Sequence, residues 1–147
     1  MIKTSYEEEL NRKGSFTYTN VGISMLPLLC QGRDLFTISK KQGRCKRFDV
    51  VLYKRPPASY VLHRVVEVRE DSYVILGDNC INKEYGIKDE DIIGVMTSFV
   101  RKGKEYPVTH KGYCVYARVW YFLYPVRKMW MKAKIKALSR FRKRNEK

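Results

Sequence analysis

The sequence predicts a mainly β fold, in which a coiled antiparallel β-sheet or partial barrel is flanked by a short N-terminal helix and a basic C-terminal helical segment. Short apolar segments rich in Val, Ile, Leu, Tyr and Phe recur irregularly between residues 15 and 109, and turn residues separate them. Beyond residue 112 this pattern changes to a longer aromatic and basic stretch that Pro125 interrupts. These two observations place the sheet in residues 1–112 and the helical segment in residues 113–147.

The N-terminal helix is expected over residues 4–13. Thr4 or Ser5 can cap it, acidic residues occupy its first turn, and Gly14 can end it. The strands follow, with a hairpin joining residues 60–69 to residues 72–77 across Glu70-Asp71-Ser72. The predicted strands are residues 15–19, 34–40, 48–54, 60–69, 72–77, 93–101 and 105–109.

The remaining segments predict a loop and helices. Residues 78–88 are polar and predict a loop, and residues 89–93 predict a helical turn. At the C-terminus we expect two helical segments with a kink or break at Pro125, because proline cannot continue the hydrogen-bond pattern of a helix.

The net charge of +15 is concentrated at the C-terminus. From Tyr113 onwards the chain holds eleven Lys or Arg and one acid, Glu146. Such a segment indicates an anionic partner or a merely solvated tail, and of the partners we favour an anionic membrane over nucleic acid because no base-reading motif accompanies the charge. Its aromatic cluster suits either the lipid–water boundary or closure of the β core. The cluster consists of Tyr113, Tyr116, Trp120, Tyr121, Phe122 and Tyr124.

The cysteines indicate neither disulfides nor a metal site. Cys30, Cys45, Cys80 and Cys114 form no C-x-x-C pair, and two histidines are too few to complete a zinc finger. We therefore expect free thiols in a reducing compartment, with no metal and no cofactor.

One serine lies in a segment that favours a sharp and rigid bend. Gly22 permits backbone angles that other residues resist, and Pro27 fixes its own φ and biases Leu26 towards an extended conformation. The hydroxyl of Ser24 is thereby held in a defined direction, as a nucleophile requires, although most serines at bends only cap turns.

Three short motifs together resemble type I signal peptidases and the related self-cleaving repressor peptidases. Ser24-Met25-Leu26-Pro27 matches the family's Ser-Met-x-Pro motif, and Gly77-Asp78-Asn79 matches its Gly-Asp-Asn motif. Between them, Phe48-Asp49-Val50-Val51-Leu52-Tyr53 resembles the Gly-Asp-Ile-Val-Val strand, with Phe48 where a glycine is usual. The resemblance covers about residues 20–100 and implies a serine endopeptidase with the signal peptidase fold, which cleaves a signal or leader peptide or a dedicated protein substrate.

The resemblance also implies a catalytic base. Bacterial members use a lysine, whereas the endoplasmic-reticulum and archaeal type uses a histidine, and His63 occupies that position here. Ser24 and His63 are therefore the expected pair, since histidine has a pKa suited to proton transfer near neutral pH. The alternative is a histidine on a half-buried strand that a neighbouring group satisfies.

Two acids are candidates for orienting His63. Glu84 lies about where the histidine-type members carry an aspartate, and Asp78 lies in the third motif itself. Asp78 has the alternative role of bracing its loop. The resemblance implies an oxyanion site at the Ser24 N–H, and Gly22 replaces the serine that some members use as a second donor.

The resemblance implies a membrane-spanning helix before the serine motif, but residues 1–23 contain no apolar run. We therefore expect no N-terminal anchor or signal peptide, and an enzyme that is cytoplasmic or peripheral to a membrane. The competing hypothesis is an inactive protein with this fold that binds a membrane or nucleic acid through residues 113–147. A self-cleaving regulator is a subsidiary hypothesis.

Overall fold

The predicted mainly β class is confirmed in a computed structural model, which describes residues 5–145. Eight antiparallel strands form one sheet that does not close into a barrel, with one helix before it and two helices after it. The strands are β1 (Ser15–Thr19), β2 (Leu35–Lys40), β3 (Val50–Arg55), β4 (Ser59–Val68), β5 (Tyr73–Leu76), β6 (Glu84–Ile87), β7 (Ile92–Arg101) and β8 (Lys104–Pro107). The helices are α1 (Tyr6–Lys13), α2 (Lys111–Phe122) and α3 (Tyr124–Asn145).

The strand order is β1-β2-β7-β3-β4-β5-β6, and β8 pairs with β7 off this path. Irregular register interrupts the pairing of β2 with β7, of β3 with β7 and of β4 with β5. Bulges of this kind increase the local twist of a sheet.

One strand was not predicted. The polar segment 78–88, predicted as a loop, contains β6, which pairs with β5 as the edge of the sheet. Its sequence, Glu84-Tyr85-Gly86-Ile87, lacks a strand pattern, and Gly86 has φ +73°. Pairing along one side only, rather than burial of an apolar face, defines this strand.

The first helix has the predicted signals. Ser5 caps α1 by accepting from the Glu8 N–H, the Glu8 carboxylate accepts from the Ser5 N–H, and Gly14 follows the helix with φ +78°. Leu10 of α1 is buried in the main core against β-sheet residues, so the helix covers one face of the sheet. The alternative cap, Thr4, lies outside the described residues.

The C-terminal helices pack on the sheet with only part of their length. The break between them falls at Leu123, and Pro125 lies in the first turn of α3, where its missing N–H costs no hydrogen bond. Tyr113 is buried in the main core, and Tyr124 is buried with Val66, Val74 and Leu76. The described residues from 132 to 145, by contrast, are all exposed.

Candidate active site

The serine motif forms a bend that its apolar neighbours anchor. Gly22 has φ +85°, and the Leu26 N–H donates to the Ile23 carbonyl at 3.2 Å. Met25 and Leu29 beside it are fully buried, so the bend is fixed to the core while Ser24 lies at the wall of a groove. None of the described residues forms a hydrogen bond with the Ser24 hydroxyl. This serine therefore does not cap the turn in which it lies.

The first and third motifs are hydrogen-bonded to each other. The Asn79 N–H donates to the Ser24 carbonyl at 2.8 Å, and Nδ2 of Asn79 donates to the Ile23 carbonyl at 3.1 Å. The structure thus brings together two motifs that are more than fifty residues apart in the chain.

Gly77 is the point at which Ser24 and His63 converge. A Cβ atom at this position would lie 2.9 Å from the Ser24 carbonyl oxygen and 2.9 Å from Nε2 of His63. It would also lie 2.5 Å from Sγ of Cys80. Real Cβ atoms do not approach other atoms so closely, so this packing requires glycine.

The second motif contributes strand β3 and a residue with unusual backbone. Phe48 occupies the position at which signal peptidases usually have glycine. Its φ of +77° lies in the left-handed region that favours glycine. Its N–H donates to the Val65 carbonyl at 2.7 Å, which holds the start of β3 against β4. The backbone therefore has a glycine-like conformation at this position despite the phenylalanine.

His63 lies on β4 opposite Val51 of β3, with 6% of its surface exposed. Its Nδ1 atom is 3.2 Å from the Tyr53 hydroxyl, and its Nε2 atom is 4.0 Å from Sγ of Cys80. Tyr53 donates its proton to Oε2 of Glu84 at 2.7 Å, so it can only accept from the imidazole. This arrangement favours the tautomer with the proton on Nδ1, which leaves Nε2 as a proton acceptor at the groove.

The protonation of His63 is set mainly by its burial. Burial lowers the pKa of His63 below its ordinary value of 6.5, and the Glu84 carboxylate opposes this effect only in part. The imidazole is therefore neutral near pH 7, as a general base must be.

Of the two candidate acids, Glu84 is the one beside His63. Its Oε1 atom is 3.7 Å from Nδ1 of His63 and forms an ion pair with Arg55. Glu84 begins β6 and pairs with Ile75, so the unpredicted strand is what carries this carboxylate to the imidazole. Tyr53 completes the link between the two side chains.

Asp78 instead braces the loop. Its carboxylate is buried and accepts two hydrogen bonds from Arg64, each at 2.8 Å, and a third from the Tyr116 hydroxyl at 2.8 Å. Its carbonyl accepts from Trp120 and Arg127 of the C-terminal helices. These contacts correspond to the bracing role that the sequence offered as the alternative for Asp78.

Sequence reasoning missed Tyr53, Arg55 and a groove-lining role for Cys80. Tyr53 lies in the second motif and two residues beyond the register partner of His63, so it shares a sheet face with the imidazole. A prediction of the β3–β4 register would therefore have indicated that Tyr53 lies near His63. Nothing in the sequence pattern indicated that Arg55 pairs with Glu84.

Ser24 and His63 line a groove of about 700 Å³. The end of β1 and the following loop form one wall, β3 and β4 another, and the segment from Asn79 to Glu84 a third. Met131 of α3 also lines it. The volume is typical of a ligand-binding cleft.

Comparison of the chain with protein-family models, curated proteins and solved structures finds no match. The resemblance to signal peptidases therefore depends on the three sequence motifs alone. Within residues 5–145 there is no cluster of three or more His, Cys, Asp or Glu side chains suited to a metal ion. Over the same residues, no helix has the length and apolar character needed to cross a membrane.

Proposed function

We propose that this protein is a serine endopeptidase, with Ser24 as nucleophile and His63 as general base, acting on a signal or leader peptide or a dedicated protein substrate. The observation that carries the proposal is the convergence of the serine motif and His63 at Gly77 of the third motif, with Ser24 and His63 on the same groove. The glycine-like backbone of Phe48 supports it independently, because it concerns main-chain conformation rather than side-chain chemistry.

In the proposed reaction, Nε2 of His63 takes the proton of the Ser24 hydroxyl as Oγ forms a bond to the scissile carbonyl carbon. The carbonyl oxygen becomes an oxyanion, for which the Ser24 N–H is the proposed donor. The imidazolium then gives its proton to the amine as the C–N bond breaks. A water molecule, deprotonated by His63, hydrolyses the acyl-enzyme and regenerates the Ser24 hydroxyl.

Glu84 and Tyr53 act on this reaction through His63. Glu84 favours the imidazolium that forms in the transition state, and Tyr53 holds the imidazole by its Nδ1 side. Asp78 and Arg64 act on the loop that carries Asn79, and Asn79 in turn holds the Ser24 bend.

A second candidate nucleophile is Cys80, because its Sγ atom lies 4.0 Å from Nε2 of His63. A cysteine peptidase would use the same groove and the same base. Burial raises the pKa of the Cys80 thiol, which leaves little thiolate near neutral pH and favours Ser24. A third candidate, the inactive binding protein, requires no nucleophile at all.

Cleavage of a peptide library, followed by mass spectrometry, separates these candidates. We expect Ser24→Ala to abolish cleavage and His63→Ala to lower turnover by at least ~10²-fold, as for a lost general base. Cys80→Ala should remain active. Ser139→Ala and His110→Ala are matched controls outside the groove and should cleave like the wild type.

The opposite pattern, in which Cys80→Ala is inactive and Ser24→Ala is active, would establish the cysteine mechanism. Failure of the wild type to cleave any peptide or protein offered, while it remains folded, would favour the binding protein. Equal turnover in wild type and His63→Ala would remove His63 from the mechanism.

A further inference from the structure

The far half of α3 projects from the folded body as an uncovered helix. Every described residue from 132 to 145 is exposed, and these residues contribute to none of the three buried clusters of the core. An isolated helix without tertiary contacts is only marginally stable in water. The helix contains no acidic residue. Its basic residues are Arg127, Lys128, Lys132, Lys134, Lys136, Arg140, Arg142, Lys143 and Arg144.

The same helix exposes large apolar side chains. Trp130 and Phe141 are 65% and 68% exposed, and Phe122 at the end of α2 is 81% exposed. A row of apolar residues recurs every three or four positions and lies along one face, which we call the outer stripe. The outer stripe consists of Val126, Trp130, Ala133, Ala137 and Phe141.

The aromatic residues of the C-terminal cluster mostly have a different role. Tyr113 and Tyr124 are buried, and the side chains of Tyr116 and Trp120 hydrogen-bond to Asp78. Of the six aromatics, only Phe122 is mostly exposed. A lipid-facing surface therefore has to be built from the exposed apolar residues of α3 and Phe122 rather than from the cluster as a whole.

We propose that α3 lies in the headgroup region of an anionic membrane, with its outer stripe towards the acyl chains and its basic residues at the lipid phosphates. Ile135 and Leu138 are exposed outside the outer stripe, so α3 presents basic and apolar side chains around most of its surface. A helix that exposes both kinds of side chain suits the headgroup region, where phosphates and acyl chains are both within reach. Tryptophan favours the interface, and each basic residue near an anionic surface strengthens binding. The charge of the helix and the charge of the lipid are complementary.

Two other occupants fit the helix less well. A second copy of α3 would bring two helices that carry only basic charges against each other, which is repulsive. Duplex nucleic acid, whose bases are already stacked, would match the charge but would leave Trp130 and Phe141 in water. Only an anionic membrane accounts for both the charge and the exposed apolar side chains.

Attachment through α3 would also place the groove at the membrane surface. Met131 lines the groove, one residue after Trp130 of the outer stripe. Arg127 donates to the Asp78 carbonyl at 3.0 Å, so the base of α3 is fixed to the loop beside Ser24. If the proposed peptidase function holds, its substrates are peptides that are inserted in the membrane or tethered to it.

The test is co-sedimentation of the full-length protein with vesicles of phosphatidylcholine alone or mixed with phosphatidylglycerol. We expect binding to the anionic vesicles at low salt, weak binding to neutral vesicles, and release as salt rises. Trp130→Ser combined with Phe141→Ser should weaken binding at every salt concentration. Lys132→Glu, Lys136→Glu and Arg140→Glu combined should weaken it by at least about 100-fold.

Matched controls exclude a general effect of charge or of surface changes. Lys40→Glu, Lys46→Glu and Lys111→Glu combined change the net charge equally at exposed positions elsewhere, and Tyr85→Ser removes an exposed aromatic from β6. Both controls should bind like the wild type. Full-length protein that stays in the supernatant with anionic vesicles at low salt would overturn the proposal.

Two further results would also overturn it. One is that the protein binds duplex DNA more tightly than the anionic vesicles, and that the Trp130 and Phe141 changes leave this DNA binding unaltered. The other is self-association without vesicles that the same changes abolish. Peptide cleavage in solution, measured on the same charge-reversal variant, is independent of the vesicles. Loss of vesicle binding with normal cleavage would thus leave the peptidase function in place.

Discussion

The hydroxyl of Tyr53 lies 3.2 Å from Nδ1 of His63, the ring nitrogen other than the proposed proton acceptor Nε2. The same hydroxyl donates its proton to Glu84, so it accepts from Nδ1 of His63. Tyr53 therefore holds the imidazole through Nδ1, the nitrogen that keeps its proton while Nε2 acts as the base. Tyr53 is thus a positioning residue, which acts on the chemistry only through His63.

Replacement of Tyr53 by phenylalanine tests this role. The ring remains, but His63 loses its Nδ1 partner, so the orientation and tautomer of the imidazole are no longer fixed. We expect kcat to fall by ~10-fold to 10²-fold with KM little changed, which is less than the usual loss on removal of the general base itself. Tyr106→Phe, outside the groove, is the control. A rise in KM with normal kcat would instead make Tyr53 a substrate contact.

The pH dependence of kcat/KM reports the protonation of His63. Burial lowers the pKa of His63, so activity should rise with pH through a value below 6.5 and be constant by pH 7. Glu84 raises the pKa of His63, so Glu84→Gln should move the acidic limb to lower pH and also lower the plateau. Glu90→Gln, at an exposed position, should leave the profile unchanged. An acidic limb that moves to higher pH would contradict the assignment of Glu84.

Asp78→Asn should act mainly on stability. The substitution leaves the buried Arg64 guanidinium without its carboxylate, and removal of one partner of a buried ion pair costs about 3 kcal/mol or more. The free energy of unfolding from denaturant titration, and the melting temperature, should both fall clearly. Asp71→Asn, at an exposed position, is the control. Unchanged stability together with a large loss of kcat would return Asp78 to the catalytic candidates.

From the sequence alone, the first helix with its caps and the candidate site residues could be predicted. Ser5, Glu8 and Gly14 predict α1 correctly because capping depends on neighbours in the chain. Ser24, His63 and Glu84 were candidates from the family resemblance, and all three line one groove.

The contacts that give each site residue its role depend on partners far along the chain. Tyr53 meets His63 through the β3–β4 register, and Glu84 arrives through an edge strand without a strand pattern. Asp78 is held by Arg64 and Tyr116, which are 14 and 38 residues away. No feature of the sequence near Asp78 or Glu84 showed which acid braces the loop and which lies beside His63.

Gly77→Ala tests the convergence of the motifs directly. The added methyl group would meet Sγ of Cys80 at 2.5 Å and both Nε2 of His63 and the Ser24 carbonyl at 2.9 Å. Relief of these contacts must displace the His63 ring or the Ser24 backbone, so we expect loss of most peptidase activity, measured as kcat/KM on a cleaved peptide.

Combination with Cys80→Ala identifies which contact matters. That change removes the closest clash but keeps those with His63 and Ser24, so activity should not return if the Ser24–His63 pair is the catalytic unit. The matched control is Cys80→Ala alone, which should be active. Recovery of activity in the double variant would mean that Gly77 serves only to make room for the thiol. The proposed proximity of Ser24 and His63 would then lose its main support.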